Sequence, residues 1–356
     1  MSVLKDTQGQ SDAKPSAAAA SSYEEVASIL AANESVGFGK LSVLADSVAV
    51  KSPGLANILQ SSLIRTQVEI YTRLDAEAVA QQTRFMRELT TANICLMIIG
   101  ILSGLALVAG KFGSPIASLS VGNVSLIIGG AILVLGACAT MLTYKARDSG
   151  RVGRWLGSRG AAEMARIIAF QRTATEAAGK GHIVAGGALA FIRSCLLDHQ
   201  RKWLETRARE HRSSAERTAT WGAIAAALAF VAGSGAVIAS FQPNQTWLAL
   251  AGVVGAAIGS YATNREGLQR DHANADRYEK AVVALEALAG RFDAVAEEVF
   301  SGNTDALIAY TTAITDQLAA EHKQWLDGAA QAESVIAKLD EDLRRLGNSD
   351  SNTDSK

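Results

Sequence analysis

The sequence predicts an all-α integral membrane protein: two transmembrane helical hairpins, four spans in all, carried on long cytoplasmic amphipathic helices. Three observations lead there. Two apolar stretches, Asn93–Tyr144 and Ala219–Thr263, each fold about a short turn into two arms free of Asp, Glu, Lys, Arg and His. Each arm runs roughly 18–23 residues, which at about 1.5 Å per residue matches the ~30 Å hydrocarbon core of a bilayer. Hydrophobic residues make up 49% of the 356-residue chain but aromatics only 6%, so Ala and Gly supply much of the apolar count, as suits helices packed closely in lipid. Four prolines and no run of alternating β-branched residues exclude a β architecture.

Taken in order, residues 1–22 are polar and Ala-rich and are expected to be a disordered tail. MSVLKDTQGQSDAKPS lacks the apolar core of a signal peptide, so insertion is expected to be directed by the internal arms. Residues 23–60 hold short mildly apolar pieces broken by Gly37, Gly39 and Ser52-Pro53-Gly54, one or two short helices without an assigned role. Residues 61–180 form a first helix–hairpin–helix unit with spans at about 93–110 and 124–144. Its leading helix shows a face of Ile64, Val68, Tyr71, Leu74 and Ala78 and meets no breaker before the first arm. Gly113 and Pro115 mark the turn.

Residues 181–346 form a second such unit, with spans at about 219–241 and 246–263. It opens on GHIVAGGALAF (181–191), too short to span and read as a flexible connector packing on the bundle, with a re-entrant or interfacial piece as the alternative. A charged helix from Ile192 mirrors that at 61–91. After the fourth arm, Val282, Leu285, Leu288, Phe292, Val295 and Val299 recur three or four apart, a stripe for helix packing. Ser301-Gly302-Asn303 breaks the chain before a last helix at 304–346, whose second stripe includes Leu339, Leu343 and Leu346; a polar tail follows at 347–356. The chain thus reads as a tandem repeat of pattern.

Basic residues set the orientation. Arg84, Arg87, Lys145, Arg147, Arg151 and Arg154 flank the first hairpin, and Arg209, Arg212, Arg217, Arg265 and Arg270 the second; the turns carry only Lys111. The positive-inside rule places both termini and all long helices in the cytoplasm, and the expected location is the bacterial inner membrane, multi-pass. Within the arms, Gly100 with Gly104 and Gly255 with Gly259 form G-x-x-x-G, and Ala225, Ala229 and Gly233 extend a small-residue stripe. These are candidate helix-packing seams, expected to support a homo-oligomer.

Other chemistries are disfavoured. The arms hold no ionisable group for a proton relay or coupled ion site; Asn93, Ser103, Ser125, Thr140, Thr143, Ser234 and Ser240 are their polar side chains. There is no G-x-x-x-x-G-K-[ST], H-E-x-x-H, G-x-S-x-G or C-x-x-C, so no enzyme, cofactor, metal or catalytic residue is expected. The five His and Glu163, Glu205 and Glu297 read as solvated or interhelical groups. A net charge of −1 gives no reason to expect nucleic acid as a partner.

Two stretches carry a family resemblance. RVGRWLGSRGAAEMARIIAFQRTA follows the first hairpin as a Trp-, Arg- and Ala-Glu-bearing helix, and ITDQLAAEHKQWLDGAAQ holds a Glu-His…Trp pattern near the end. With the flanked hairpins, the chain resembles two tandem copies of the SLATT family, two-transmembrane effector domains of bacterial conflict systems, over 61–346. The resemblance implies a membrane effector that oligomerises and forms a pore or perturbs the membrane on a cytoplasmic trigger. The family's nucleotidyltransferase, Rossmann-like or TIR-like sensors are not seen in these residues, and the trigger is expected from a separate sensor or nucleotide-signal protein. The alternative is a non-conducting membrane-anchored scaffold that organises a cytoplasmic partner.

Overall fold

The computed structural model describes residues 16–33, 37–112, 121–148, 150–239 and 246–330. Every element among them is helical: α1 (Ala17–Ala32), a 3-10 turn (Phe38–Lys40), α2 (Leu41–Val48), α3 (Pro53–Leu59), α4 (Ser62–Phe112), α5 (Val121–Asp148), α6 (Arg151–Gly179) and α7 (His182–Phe191). A π-helical stretch (Ile192–Asp198) leads into α8 (His199–Ala239), followed by α9 (Thr246–Gln269), α10 (Asp271–Ala289), α11 (Phe292–Phe300) and α12 (Asp305–Ala330). The 51-residue α4 confirms that the charged helix runs unbroken into the first arm. Breaks fall where the backbone turns left-handed: Gly150, Gly181 and Gly302, and the non-glycine Arg270 at φ 50°. Among the described residues two helices, α4 and α5, are long and apolar enough to cross a membrane.

The chain divides into two compact units, and the division does not follow the tandem copies at 61–180 and 181–346. One unit gathers 1–74, 161–205 and 279–322; the other gathers 75–160, 206–278 and 323–356. Amphipathic segments outside the hairpins associate with each other through their buried apolar side chains, and the apolar hairpins associate separately.

At the centre of the first unit lies α7, in which every residue from Ala185 to Phe191 is buried. A helix apolar all round is a core helix, and this is the stretch read from sequence as a flexible connector. Its glycines admit α1: a Cβ on Gly186 would sit 2.5 Å from the Ala19 carbonyl oxygen, and one on Gly187 would meet Ser52 and Ser22. The expected disordered tail is therefore helical from Ala17, since an Ala-rich segment forms helix readily and Ala19, Ser22, Val26 and Leu30 are buried. Within 23–60, α1 and α3 gain a role packed on α7, and α2 packs on both of them, with Leu44, Leu55, Ile58 and Leu59 fully buried.

Aromatic contacts tie this unit together. Phe170 stacks on Phe191 with centroids 5.4 Å apart, and Phe38 touches both Phe170 and Tyr71. Tyr23 lies between Phe292 and Phe300, and the Arg193 guanidinium covers the Phe292 ring at 4.0 Å. Of the sequence-predicted packing stripe, Leu285, Phe292, Val295 and Val299 are buried within this unit, while Val282 and Leu288 are half-buried. The stripe bends at Gly290–Arg291, so α10 and α11 are separate helices. Leu307, Ile314 and Leu318 of α12 are buried too. Leu339, Leu343 and Leu346 lie outside the described residues. Glu163, read as solvated, is buried and paired with Arg166 at 2.5 Å, and Arg166 also donates to Gln200.

Candidate functional site

The second unit contains the arms. Its helices pack in the order α5, α4, α9, α8. Ala92 and Cys95 of α4 bury against Ala139 of α5. A Cβ on Gly100 would lie 2.7 Å from the Ala257 Cβ, and one on Gly104 about 3.1 Å from Leu250 and Val253, so the first G-x-x-x-G faces α9. A Cβ on Gly255 would lie 2.9 Å from the Ala225 carbonyl oxygen and 3.2 Å from the Ala229 amide nitrogen, and one on Gly259 would lie 3.5 Å from the Ala225 Cβ. The second G-x-x-x-G therefore faces α8. Close backbone approach of this kind is what small residues permit between helices. The surroundings of Gly233 lie outside the described residues.

One polar node joins the inner pair, α4 and α9. The buried Asn93 side chain donates through Nδ2 to the Tyr261 carbonyl at 3.1 Å, and its Oδ1 accepts from Asn264 Nδ2 at 3.3 Å. Asn93 stood out from sequence; Asn264 did not, because it sits one residue before the charged Arg265 and looked like the first polar residue past the span. A small recess lined by Thr90, Asn93, Tyr261, Arg265, Leu268 and Gln269 adjoins the node.

A hinge follows directly. The backbone of α9 ends at Gln269, Arg270 takes its left-handed conformation, and α10 starts at Asp271. Asn274 Nδ2 donates to the Gln269 carbonyl, closing the end of α9, and the His272 amide donates to Glu266 Oε1. Asp271 is 2% exposed. Its Oδ1 lies 2.6 Å from His211 Nδ1 of α8, its Oδ2 accepts from Ser214 Oγ, and Ser214 in turn accepts from Arg265 Nη2 at 3.3 Å. Burial alone would raise the Asp271 pKa. The bonds from His211 and Ser214, with the nearby Arg265 charge, outweigh it and hold the carboxyl below its ordinary range. The carboxylate is thus ionised and His211 Nδ1 carries the proton between them. His211 was expected to be solvated or interhelical; it is the latter.

At the polar end of α4, Phe85 packs near Trp155, which meets Trp325 edge-on at 5.3 Å. Asp75 pairs with Arg159, Glu88 with Lys145 at 4.0 Å, and Arg212 with Asp276 at 3.3 Å. Arg84, Arg87, Arg154 and Arg217 are exposed, Arg212 and Arg265 half-buried. Arg147 and Arg151 stand on α5 and α6, with side chains outside the described residues. The outer face of α5 is apolar and open: Leu126 is 78% exposed, Leu133 74% and Met141 68%.

Among the described residues no group of His, Cys, Asp and Glu is arranged to hold a metal ion. Cys195, in the first unit, is pushed up to about 12 by burial and is held as an unreactive thiol. Compared with known proteins, the chain matches no family model, no curated protein and no solved structure.

Proposed function

We propose that the chain is a four-span protein of the bacterial cytoplasmic membrane, with both termini inside, acting as a membrane effector that forms a pore or perturbs the bilayer when a cytoplasmic trigger releases it. The observation that carries the membrane part is the open apolar face of α5, a surface that water would not tolerate at this size and lipid would. α4 and α5 supply the first hairpin, and the charge-free segments of α8 and α9 the second. The effector part rests on the resemblance to the SLATT family. Support for a restrained state comes from the stripe on α10–α12, whose apolar residues are spent inside their own unit. An assembled ring would have to use the outer faces of α5 and α8, because the small-residue seams are filled by the chain's own helices. That same filling favours the second reading, a non-conducting scaffold.

Induced expression with a potential-sensitive dye separates the two. The effector reading predicts depolarisation and growth arrest, altered by truncation after Gly302, at matched membrane levels. Steady potential in both forms, with any partner co-expressed, would replace it by the scaffold.

A further inference from the structure

The two hairpins have different polar flanks. Residues 79–93 and 143–160 around the first carry seven basic residues against two acidic ones, Glu88 and Asp148, whereas 206–218 and 263–278 around the second carry seven against five. The structure sharpens the contrast. Around the second hairpin, Arg212 is engaged by Asp276, Arg265 reaches the Ser214–Asp271 network, and Arg277 lies over the Tyr278 ring. Around the first, Arg84 and Arg87 are exposed and make no hydrogen bond or ion pair among the described residues. They sit one helical turn apart, and Arg84 lies one turn before Glu88 on the same stripe of α4. Glu88 is buried and reaches Lys145 of α5 only at 4.0 Å, leaving that ammonium half exposed to its surroundings. Beside Lys145, Tyr144 is 66% exposed. An exposed tyrosine next to cations at the end of an apolar arm is the pattern of a headgroup-level anchor.

We propose that Arg84, Arg87 and Lys145 form a binding surface for the phosphate of an anionic phospholipid, with Tyr144 at the headgroup level and the open face of α5 receiving the acyl chains. The proposal rests on the membrane reading above. Charge complementarity selects the occupant: the exposed Arg84 and Arg87 guanidiniums and the half-exposed Lys145 ammonium, held by one long ion pair, take phosphate oxygens, and the adjoining apolar face requires that the phosphate carry hydrocarbon. At the second hairpin Arg207 and Arg212 are engaged by Glu210 and Asp276, and Arg217, Arg265 and Arg277 by Ser213, Ser214 and Asn274, so this hairpin is not expected to select lipid charge.

The test reconstitutes the full chain into mixed phosphatidylcholine–phosphatidylglycerol vesicles, re-extracts it gently, and measures the retained lipids by mass spectrometry. Phosphatidylglycerol should be enriched over the bulk, and Arg84→Gln/Arg87→Gln/Lys145→Gln should lower that enrichment by about fivefold or more, the scale expected for charges at an anionic surface. Arg84→Lys/Arg87→Lys/Lys145→Arg should restore it, and Arg217→Gln at the second hairpin should leave it unchanged. Equal loss from Arg217→Gln, or no enrichment in the unsubstituted chain, overturns the proposal. So does displacement of the lipid by inorganic phosphate alone, which would make this a free-phosphate site. Carbonate extraction of the same vesicles reads the membrane proposal separately: release of the chain defeats that reading, while retention without lipid selection defeats only the headgroup site.

Discussion

The two apolar hairpins carry glycines at similar density, and those glycines do different work. On α4 and α9 they are closed against neighbours: Gly100 on Ala257, Gly255 on the Ala225 backbone. On α5, a Cβ at Gly129, Gly130 or Gly136 would meet nothing within 4 Å. The polar flanks differ in parallel. The second hairpin ends in a buried network around Asp271, the first in the exposed Arg84 and Arg87 with ion pairs at Asp75–Arg159 and Glu88–Lys145. α4 and α9 are therefore the inner helices of the bundle and α5 an outer one, so a G-x-x-x-G spacing announces close packing without naming the partner.

The largest expected effect comes from filling a closed seam. Gly255→Leu drives a side chain into the α8 backbone and should destabilise the bundle by about 3 kcal/mol or more, whereas Gly136→Leu should cost less than about 0.5 kcal/mol. Unfolding of the purified chain in mixed micelles by SDS titration measures both. Equal costs would erase the distinction between inner and outer helices.

Next comes the hinge. Asp271→Ala leaves His211 and Ser214 without their acceptor and Arg265 without its neighbouring negative charge, and should cost about 3 kcal/mol. Because the Asp271 carboxyl is held below its ordinary value of 3.8, its contribution is complete at neutral pH. It is lost only as the pH falls below that value and the carboxylate is protonated in the folded chain. Asp271→Asn should therefore flatten the acid limb of the stability profile. Glu88→Gln, which removes a 4.0 Å pair between a buried carboxylate and a half-exposed ammonium, should cost less than Asp271→Ala, about 1 kcal/mol.

A smaller effect is expected at the node. Asn93→Ala removes the link between α4 and α9 and should cost about 1 kcal/mol, as interhelical polar contacts in bundles of this kind do. The smallest sits at Arg270, where a non-glycine residue holds a positive φ. Arg270→Gly relieves that strain and should be neutral or stabilising by up to about 1 kcal/mol. A marked loss would mean that the arginine side chain itself holds the hinge.

Much of this architecture was legible in the residues. The Ile64–Val68–Tyr71–Leu74 face and the lack of any breaker announced the continuous α4, and the charge-free arms stood out by length alone. What was not legible depended on contacts distant in sequence. The segment GHIVAGG has no amphipathic period, because all sides of α7 are buried; an all-round apolar, glycine-rich piece looks the same as a linker until α1 is placed on it. The Ala17–Ser22 run looked too polar to fold because its partner lies more than a hundred residues away. The break between α9 and α10 has neither Gly nor Pro at the turning residue, and the buried Asp271 resembles any other surface carboxylate until α8 supplies His211 and Ser214.

The central claim is that both hairpins cross the membrane and return. Single cysteines in a background lacking Cys95, Cys138 and Cys195 test it most directly. Ser114→Cys marks the first turn, Asn244→Cys the second, and Ser213→Cys the polar base, and a membrane-impermeant maleimide is applied to intact spheroplasts. The account predicts labelling at 114 and at 244 and none at 213 until the membrane is permeabilised. Labelling at 114 alone would reduce the protein to one spanning hairpin, and labelling at 213 in intact spheroplasts would contradict the orientation outright.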